Sequence, residues 1–382
     1  MIRIAFLIRK LELGGAERQL AAVVSGLDRN LFEPTILTFY SNETFVHELG
    51  LDDVTIINLN KSGRWDLVAF HVRLVRTLRS IRADIIHAFQ GPPNLFALLT
   101  KPFVPRLSVI WGERASNMDL SQYDYSRRLV FALTRRLEGF SDLIICNSEA
   151  GRSFLLENGF GDTAIEVVPN GIDTDKFRAD PKLGKAVRSE CNVGEEDILV
   201  GLVARFDPKK DHETFLLAAA RISERLPNVR FICVGDGTPE RKLELQRFAA
   251  AIEVDDKVTW LGQRNDIVSV YNSLNLHTLS SAFGEGFSNS VGESMASGVP
   301  NVVTDTGDAG TIVGDSGRCV DTENPQALAE AWIEILSLTE KERDHLGTRA
   351  RERVKTNYSL ATLLRESMRL YASVAEKSAN EL

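Results

Sequence analysis

Two successive series of short segments that are apolar on both faces constrain this chain more than any other feature. The first series is Arg3–Ile8, Thr35–Phe39, Val54–Leu59, Ile85–Ala88, Ser108–Trp111, Leu143–Cys146 and Ile165–Val168. Helix-period stretches lie between them, among them Ala16–Leu27, Leu67–Arg82, Asn94–Leu99 and Ser126–Gly139. The second series is Ile198–Val203, Val229–Val234, Val258–Leu261, Leu276–Leu279, Val299–Thr304 and Gly317–Val320. Its helical stretches are His212–Arg225, Arg241–Ile252, Ile267–Leu274, Ser290–Ala296 and Gln326–Leu336. Strands with two apolar faces, alternating with helices, predict parallel sheets covered on both sides. The expectation is an α/β protein of two doubly wound domains. The length of 382 residues suits two domains of roughly 100–200 residues each. Turn formers follow a strand at Val168-Pro169-Asn170-Gly171, which places the division near residue 169. Leu360–Lys377 closes the chain as a helix, with Leu363, Leu364, Met368 and Tyr371 on one face.

Composition excludes several classes. Charged residues make up 26% and hydrophobic residues 43%, which is ordinary for a folded soluble chain and not for a disordered or fibrous one. The net charge of −8 argues against general nucleic-acid binding, which needs a basic excess. That charge is unevenly held. Residues 1–170 carry 19 Lys+Arg and 19 Asp+Glu, so the whole excess of acid belongs to the remainder. Cys146, Cys191, Cys233 and Cys319 are widely spaced and form no Cys-x-x-Cys pair. A metal knuckle or disulfide scaffold is therefore not expected, and a cytoplasmic setting is. The apolar start, about five residues long, reads as a strand and not as a signal peptide. No stretch reaches the roughly 18–20 apolar residues of a membrane span.

In open α/β sheets ligands bind beyond the carboxyl ends of the strands, so the loops there carry the functional reading. Leu11–Arg18 follows the first strand and opens a helix, with Gly14 and Gly15 at its centre. Paired glycines let a ligand approach the backbone, and the free amides of a helix start favour an anion; a plain glycine turn is the alternative. The pattern is not Gly-x-Gly-x-x-Gly, so hydride transfer is not expected. Ala204–Asp211 follows the first strand of the second series and carries Arg205 and Lys210. A loop can turn both cations toward one diphosphate, Arg as a fork and Lys as a point charge; solvated loop charges are the alternative. Ser280–Glu293 is the richest segment. Glu285 stands in its loop and Glu293 one turn into the following helix. The amides of Gly286, Phe287, Ser288 and Asn289 form a nest suited to hydroxyls or phosphate oxygens. A carboxylate there accepts from adjacent ring hydroxyls; complementing the helix dipole is the alternative.

These segments resemble family-4 glycosyltransferases, the retaining enzymes of the group-1 type. The resemblance rests on Glu285 and Glu293 with seven residues between them, followed by Ala296–Val302. It rests also on Gly14–Arg18, Cys146–Ser148, Val167–Asp173, Arg205 with Lys210, and Val234–Gly237, which follow the family's order over nearly the whole chain. The resemblance implies a GT-B fold, two Rossmann-like doubly wound domains facing a deep cleft. Residues 1–168 plus 360–382 would form the acceptor-side domain and 169–359 the nucleotide-sugar-binding domain. Catalytic roles would fall to Glu285, Arg205, Lys210 and His87. Arg205 and Lys210 would bind the donor diphosphate, and Glu293 the ribose. Glu285 with Gly286, Phe287, Ser288 and Asn289 would hold the sugar. Gly14 and Gly15 would close over the phosphates. Val258–Asp266, with Arg264, would lie near the base. Leaving-group stabilisation would come from cations and helix amides, with no metal and no cofactor.

The implied reaction is retaining transfer of a hexosyl or N-acetylhexosaminyl group from a nucleotide-diphosphate sugar, expected to be a UDP-sugar. It would go to a sugar or lipid-linked acceptor hydroxyl, in polysaccharide or glycolipid assembly. A nucleotide-sugar epimerase or hydrolase of the same fold, or a non-catalytic nucleotide-sugar-binding protein, is the alternative. Many relatives carry His-x-His after the fourth strand; here the stretch is Ile86-His87-Ala88-Phe89-Gln90. Phe89 occupies the second position; Gln90 is left to supply a polar contact, and His87 reads either as a core or supporting residue or as a catalytic one. Asp173-Thr174-Asp175 spells a metal-binding Asp-x-Asp, but it stands where Asp and Thr commonly begin helices. Leu67–Arg82 reads as an ordinary surface helix or as a basic face toward anionic lipid. The second reading would make the protein peripheral at the inner face of the membrane, touching it through the N-terminal domain.

Overall fold

The computed structural model describes residues 1–12, 14–41, 45–114, 125–161 and 164–380. Side chains of residues 125–127 lie outside that description, as does Leu13 of the first glycine loop. The chain forms two compact units, Met1–Gly171 with Leu360–Leu382, and Ile172–Ser359.

Unit 1 runs β1 (Ile2–Ile8), α1 (Gly15–Gly26), β2 (Phe32–Thr38), β3 (Thr55–Asn58), α2 (Val68–Ser80), β4 (Ile85–Phe89), α3 (Pro92–Thr100) and β5 (Ser108–Glu113). It continues through α4 (Tyr125–Leu137), β6 (Leu143–Cys146), α5 (Glu149–Glu157) and β7 (Ile165–Val167). Its strands pair in the order β3-β2-β1-β4-β5-β6-β7, all parallel. Period-2 side-chain alternation divides each strand between two cores. Ala5 and Leu7 face Phe70, Leu74 and Leu78 of α2 and Ala97 and Leu98 of α3. Ile4, Phe6 and Ile8 face Leu20, Val23 and Val24 of α1.

Unit 2 runs α6 (Pro181–Glu190), β8 (Ile198–Val203), α7 (His212–Ser223), β9 (Val229–Val234), α8 (Pro239–Ala251), β10 (Val258–Gly262) and α9 (Ile267–Ser273). There follow β11 (Leu276–Leu279), α10 (Asn289–Ala296), β12 (Asn301–Thr304), α11 (Ala309–Val313), β13 (Gly317–Val320), α12 (Pro325–Leu336) and α13 (Glu340–Asn357). The strand order is β10-β9-β8-β11-β12-β13, again all parallel. Phe215, Phe231 and Trp332 anchor one core; Tyr271, Phe287 and Met295 belong to the other. The last helix, α14 (Leu360–Asn380), belongs to unit 1 and seats Leu363, Leu370, Tyr371 and Val374 beside α1.

Each apolar segment expected to be a strand is one. The patterning leaves α5, α6, α11 and α13 unassigned, and α13 shows why. Its sequence EKERDHLGTRARERVKTN is almost wholly polar, yet Leu346, Ala350 and Val354 are buried at a spacing of four. Gly347 lets the helix approach another segment closely: a Cβ there would stand 2.0 Å from the Gly298 carbonyl oxygen. Thr339 and Glu342 form a capping box that starts it. Among the described residues, no helix is long and apolar enough to cross a membrane.

Candidate active site

In unit 2 the strand order reverses between β8 and β11, neighbours in the sheet. Loops after two such strands lie side by side, which makes this the expected ligand crevice of a doubly wound sheet. The loop after β8 carries Arg205, Lys209 and Lys210; the loop after β11 carries Glu285. The two loops are knitted together. The Ala282 amide donates to the Lys209 carbonyl at 2.9 Å, and the Ser280 hydroxyl donates to the Lys210 carbonyl at 2.9 Å. The Lys210 ammonium is ion-paired with Glu285 Oε1. The Ser281 hydroxyl donates to the same oxygen at 2.8 Å.

Glu285 is only 7% exposed. Burial alone would raise its pKa, but Lys210, Ser281 and the nearby Lys209 charge outweigh burial and hold it below the usual carboxylate range. Lys209 is pulled the other way, its pKa lowered chiefly by burial. Arg205 is exposed and makes no ion pair among the described residues. The loop bearing Glu285 needs Gly307, at φ +58°, because a Cβ there would stand 2.4 Å from the Glu285 carbonyl oxygen. Gly235, in the loop after β9, is tighter still: its Cβ would meet the Ala204 carbonyl oxygen at 2.0 Å.

Helix α10 starts directly after this loop. Ser288 caps it without a side-chain bond, and the Gly286–Asn289 amides lead into its first turn. The macrodipole of a helix start favours negative charge there. Glu293, one turn in, accepts from the buried Tyr271 hydroxyl at 3.0 Å. Arg264 follows β10. Its guanidinium bonds Glu190 at 2.8 Å and Asp266 at 2.7 Å, so two carboxylates already neutralise it. Asp173 Oδ1 accepts from the amides of Asp175 and Lys176 at 3.1 and 2.9 Å, a local turn-capping use.

In unit 1 Gly14 caps α1 and Gly15 is its first residue. Gln19, which the sequence reading did not single out, fixes this helix. It exchanges two 2.9 Å hydrogen bonds with the backbone of Gly171. His87 is buried inside the sheet. Its Nδ1 lies 2.9 Å from the Tyr371 hydroxyl, and its ring stacks on Phe89 at 4.5 Å. Burial lowers its pKa to about 3, with Arg114 adding to the effect, so it is a neutral core imidazole. Gln90 is exposed at the strand end, at φ +61°.

Taken together, the site can neutralise an anion with Arg205, Lys210 and helix amides, and can accept hydroxyl donors through Glu285 and Glu293. Residues 13–176 match the sequence profile of Glycosyltransferase Family 4, and residues 197–338 that of Glycosyl transferases group 1. The chain belongs to glycosyltransferase family 4.

Among its relatives is the N-acetylgalactosamine-N,N'-diacetylbacillosaminyl-diphospho-undecaprenol 4-alpha-N-acetylgalactosaminyltransferase of Campylobacter jejuni. It is 24% identical over 93% of this chain and 95% of its own length. A GDP-mannose-dependent phosphatidylinositol monomannoside mannosyltransferase of Mycobacterium tuberculosis is 29% identical over 61% of this chain and 62% of its own. The putative glycosyltransferase EpsF of Bacillus subtilis is 25% identical, and the match spans about half of each chain, 48%. The structure of Anabaena HepE in complex with UDP and glucose superposes with a TM-score of 0.84 at 20% identity. It covers 98% of this chain and 100% of HepE. The family-4 chain therefore has the GT-B fold, two Rossmann-like parallel-sheet domains, and is a glycosyltransferase.

Proposed function

We propose that this glycosyltransferase moves a hexosyl or N-acetylhexosaminyl group from a UDP-sugar to a hydroxyl of a sugar or lipid-linked acceptor, with retention of anomeric configuration. The observation that carries the reading is the Lys210–Glu285–Ser281 cluster at the mouth of α10, beside exposed Arg205. As the bond from the anomeric carbon to the diphosphate breaks, negative charge develops on the departing phosphate. Arg205, Lys210 and the α10 amides offset that charge in the transition state. Glu285 and the Gly286–Asn289 amides hold the sugar hydroxyls, and Glu293 takes the ribose. Fixed positioning of this kind supplies much of the rate by lowering the entropy cost of reaction. The acceptor proton passes to a donor phosphate oxygen. The proposal includes no essential metal and no cofactor.

UDP is favoured because HepE, similar in fold over its whole length, was crystallised with it. Glycolipid or polysaccharide assembly is favoured because the Campylobacter relative, similar over most of this chain, acts on a diphospho-undecaprenol compound. Contact with an anionic membrane surface at the cytoplasmic face fits the outer side of α2. Val68, Val72, Arg76 and Arg79 form a solvent-facing stripe opposite buried Phe70, Leu74 and Leu78. Trp65, just before it, is 84% exposed.

The test is a thermal-shift panel of UDP-, GDP- and ADP-sugars, followed by NMR of the product's anomeric proton. A ligand of the folded state raises the melting temperature by mass action. We expect a saturable rise with a UDP-sugar and a product of retained configuration. Sugar turnover without any acceptor would instead support an epimerase or hydrolase, and binding without any turnover a non-catalytic protein.

A further inference from the structure

Unit 1 has its own strand ends, and one carboxylate there is unused by the reaction described above. Glu113 is the last residue of β5. Its Oε1 accepts from Asn94 Nδ2 at 2.6 Å. Among the described residues it makes no ion pair. Its sequence neighbour Arg114 donates instead to Asn170 Oδ1 at 2.7 Å and lies over the Phe89 ring at 5.2 Å. Adjacent residues on a strand point to opposite faces, so this cation serves the other side of the sheet. Burial raises the Glu113 pKa to about 7, and the Asn94 hydrogen bond offsets only part of that. A half-buried carboxylate without a cation is costly to keep, which calls for an explanation.

The surroundings indicate what it would take. Asn94 is fully buried in the first turn of α3, and its Oδ1 has no partner. The turn before α3 holds Gln90 and Gly91 at consecutive positive φ, +61° and +52°. Its Gln90 amide is tied to the Gly112 carbonyl at 2.9 Å. Left-handed backbone at a residue other than glycine is strained and clusters at functional sites. Glu113, when ionised, and Asn94 Oδ1 offer acceptors. An ionised carboxylate there repels phosphate and suits a neutral ligand rich in O–H donors.

We propose that Glu113 accepts a hydrogen bond from a hydroxyl of the acceptor, that this portion of the acceptor is an uncharged sugar, and that Asn94 is its positioning residue. This rests on the glycosyltransferase reading above. It adds a specific acceptor contact on unit 1 and excludes a phosphate at that contact.

The test uses the full chain with UDP present and saturation-transfer NMR with methyl glycosides of glucose, galactose, mannose and N-acetylglucosamine. The wild type is expected to bind at least one glycoside. Glu113→Gln should weaken that binding at least tenfold, Glu113→Asp less, and Asn94→Ala about threefold. The melting-temperature rise caused by UDP should be the same in all four proteins. Wild-type glycoside affinity in Glu113→Gln, with the UDP response intact, overturns this proposal alone. So does inorganic phosphate displacing the glycoside only when Glu113 is present, or failure of the wild type to bind any of the glycosides. Absence of a UDP response in the wild type overturns the donor reading and this inference with it. If Glu113→Gln fails to fold by circular dichroism, Glu113→Asp and Asn94→Ala decide the matter by the same criterion.

Discussion

Replacing Lys210 by alanine tests the centre of the site most directly. The Lys210 and Glu285 side chains are 15% and 8% exposed, so their pair is largely withdrawn from water. Removing one partner of a buried pair typically costs about 3–5 kcal/mol, because the other charge is left without compensation. The Ser281 hydroxyl remains on Glu285 Oε1, and the Lys209 charge remains nearby. We therefore expect the low end, about 3 kcal/mol, measured by urea unfolding at pH 7. Glu285→Gln combined with Lys210→Met removes both charges. It should recover most of the loss, since an apolar or neutral replacement of a buried pair is often neutral. A double-mutant cycle over the wild type, Lys210→Met, Glu285→Gln and the double variant should thus give a coupling of at least ~1 kcal/mol. Function separates from stability in the same set. Lys210→Ala should lower UDP-sugar affinity or turnover at least tenfold, about 1.4 kcal/mol, assayed well below its melting temperature. Glu293→Ala should do likewise while leaving the Lys210–Glu285 coupling unchanged. Wild-type turnover in both single variants, or a coupling indistinguishable from zero, would refute the reasoning.

Acidification should destabilise the chain, with a definite sign. Burial lowers the pKa of His87 and His212 to about 3 and of His277 to about 4. The unfolded chain binds protons below pH 6.5 that the folded chain refuses, so stability falls as pH drops through that window. At pH 5 each histidine costs about 2 kcal/mol. Glu113, whose folded pKa is raised to about 7, works oppositely and returns about 2 kcal/mol between pH 7 and 5. The net expectation is a loss on the order of 4 kcal/mol; urea midpoints that do not move from pH 7 to 5 would contradict it. At the membrane, Trp65→Ser with Arg76→Glu and Arg79→Glu should abolish co-sedimentation with phosphatidylglycerol vesicles while sparing the UDP response. Equal sedimentation of variant and wild type would remove α2 as the contact.

Much of this was legible because strand burial is written into composition. A strand covered on both faces has to be apolar throughout, and every segment of that kind in the sequence became a strand. The Lys210–Glu285 contact spans 75 residues, yet it follows from topology: β8 and β11 are neighbours, so the loops after them meet. Helix α13 hid because the narrow stripe of Leu346, Gly347, Ala350 and Val354 suffices to seat it, and its many charged residues mask the period. The pairing of Arg264 with Glu190, 74 residues away, has no signal in local spacing. Glu113 was invisible for another reason. Its significance lies in having no cation partner among the described residues, and a missing contact has no sequence signal. Asn94 and Gln19 are ordinary polar residues whose roles depend on tertiary register alone.

The return of α14 to unit 1 has a consequence for how the chain is made. Leu363, Leu370, Tyr371 and Val374 complete the core that Phe6, Leu20 and Val24 begin, and Tyr371 supplies the partner of His87. The ribosome releases β1 to β7 first, but their outer core stays open until residues 360–374 emerge. All of unit 2 must be synthesised in the interval, roughly 10–40 s at ordinary elongation rates. During that time a sheet face built from Ile4, Phe6, Ile36, Ile85 and Ile110 lacks its final cover. The first unit to be translated is thus the last to be finished. A nascent chain stalled before residue 360 would present an adhesive surface that the released protein does not.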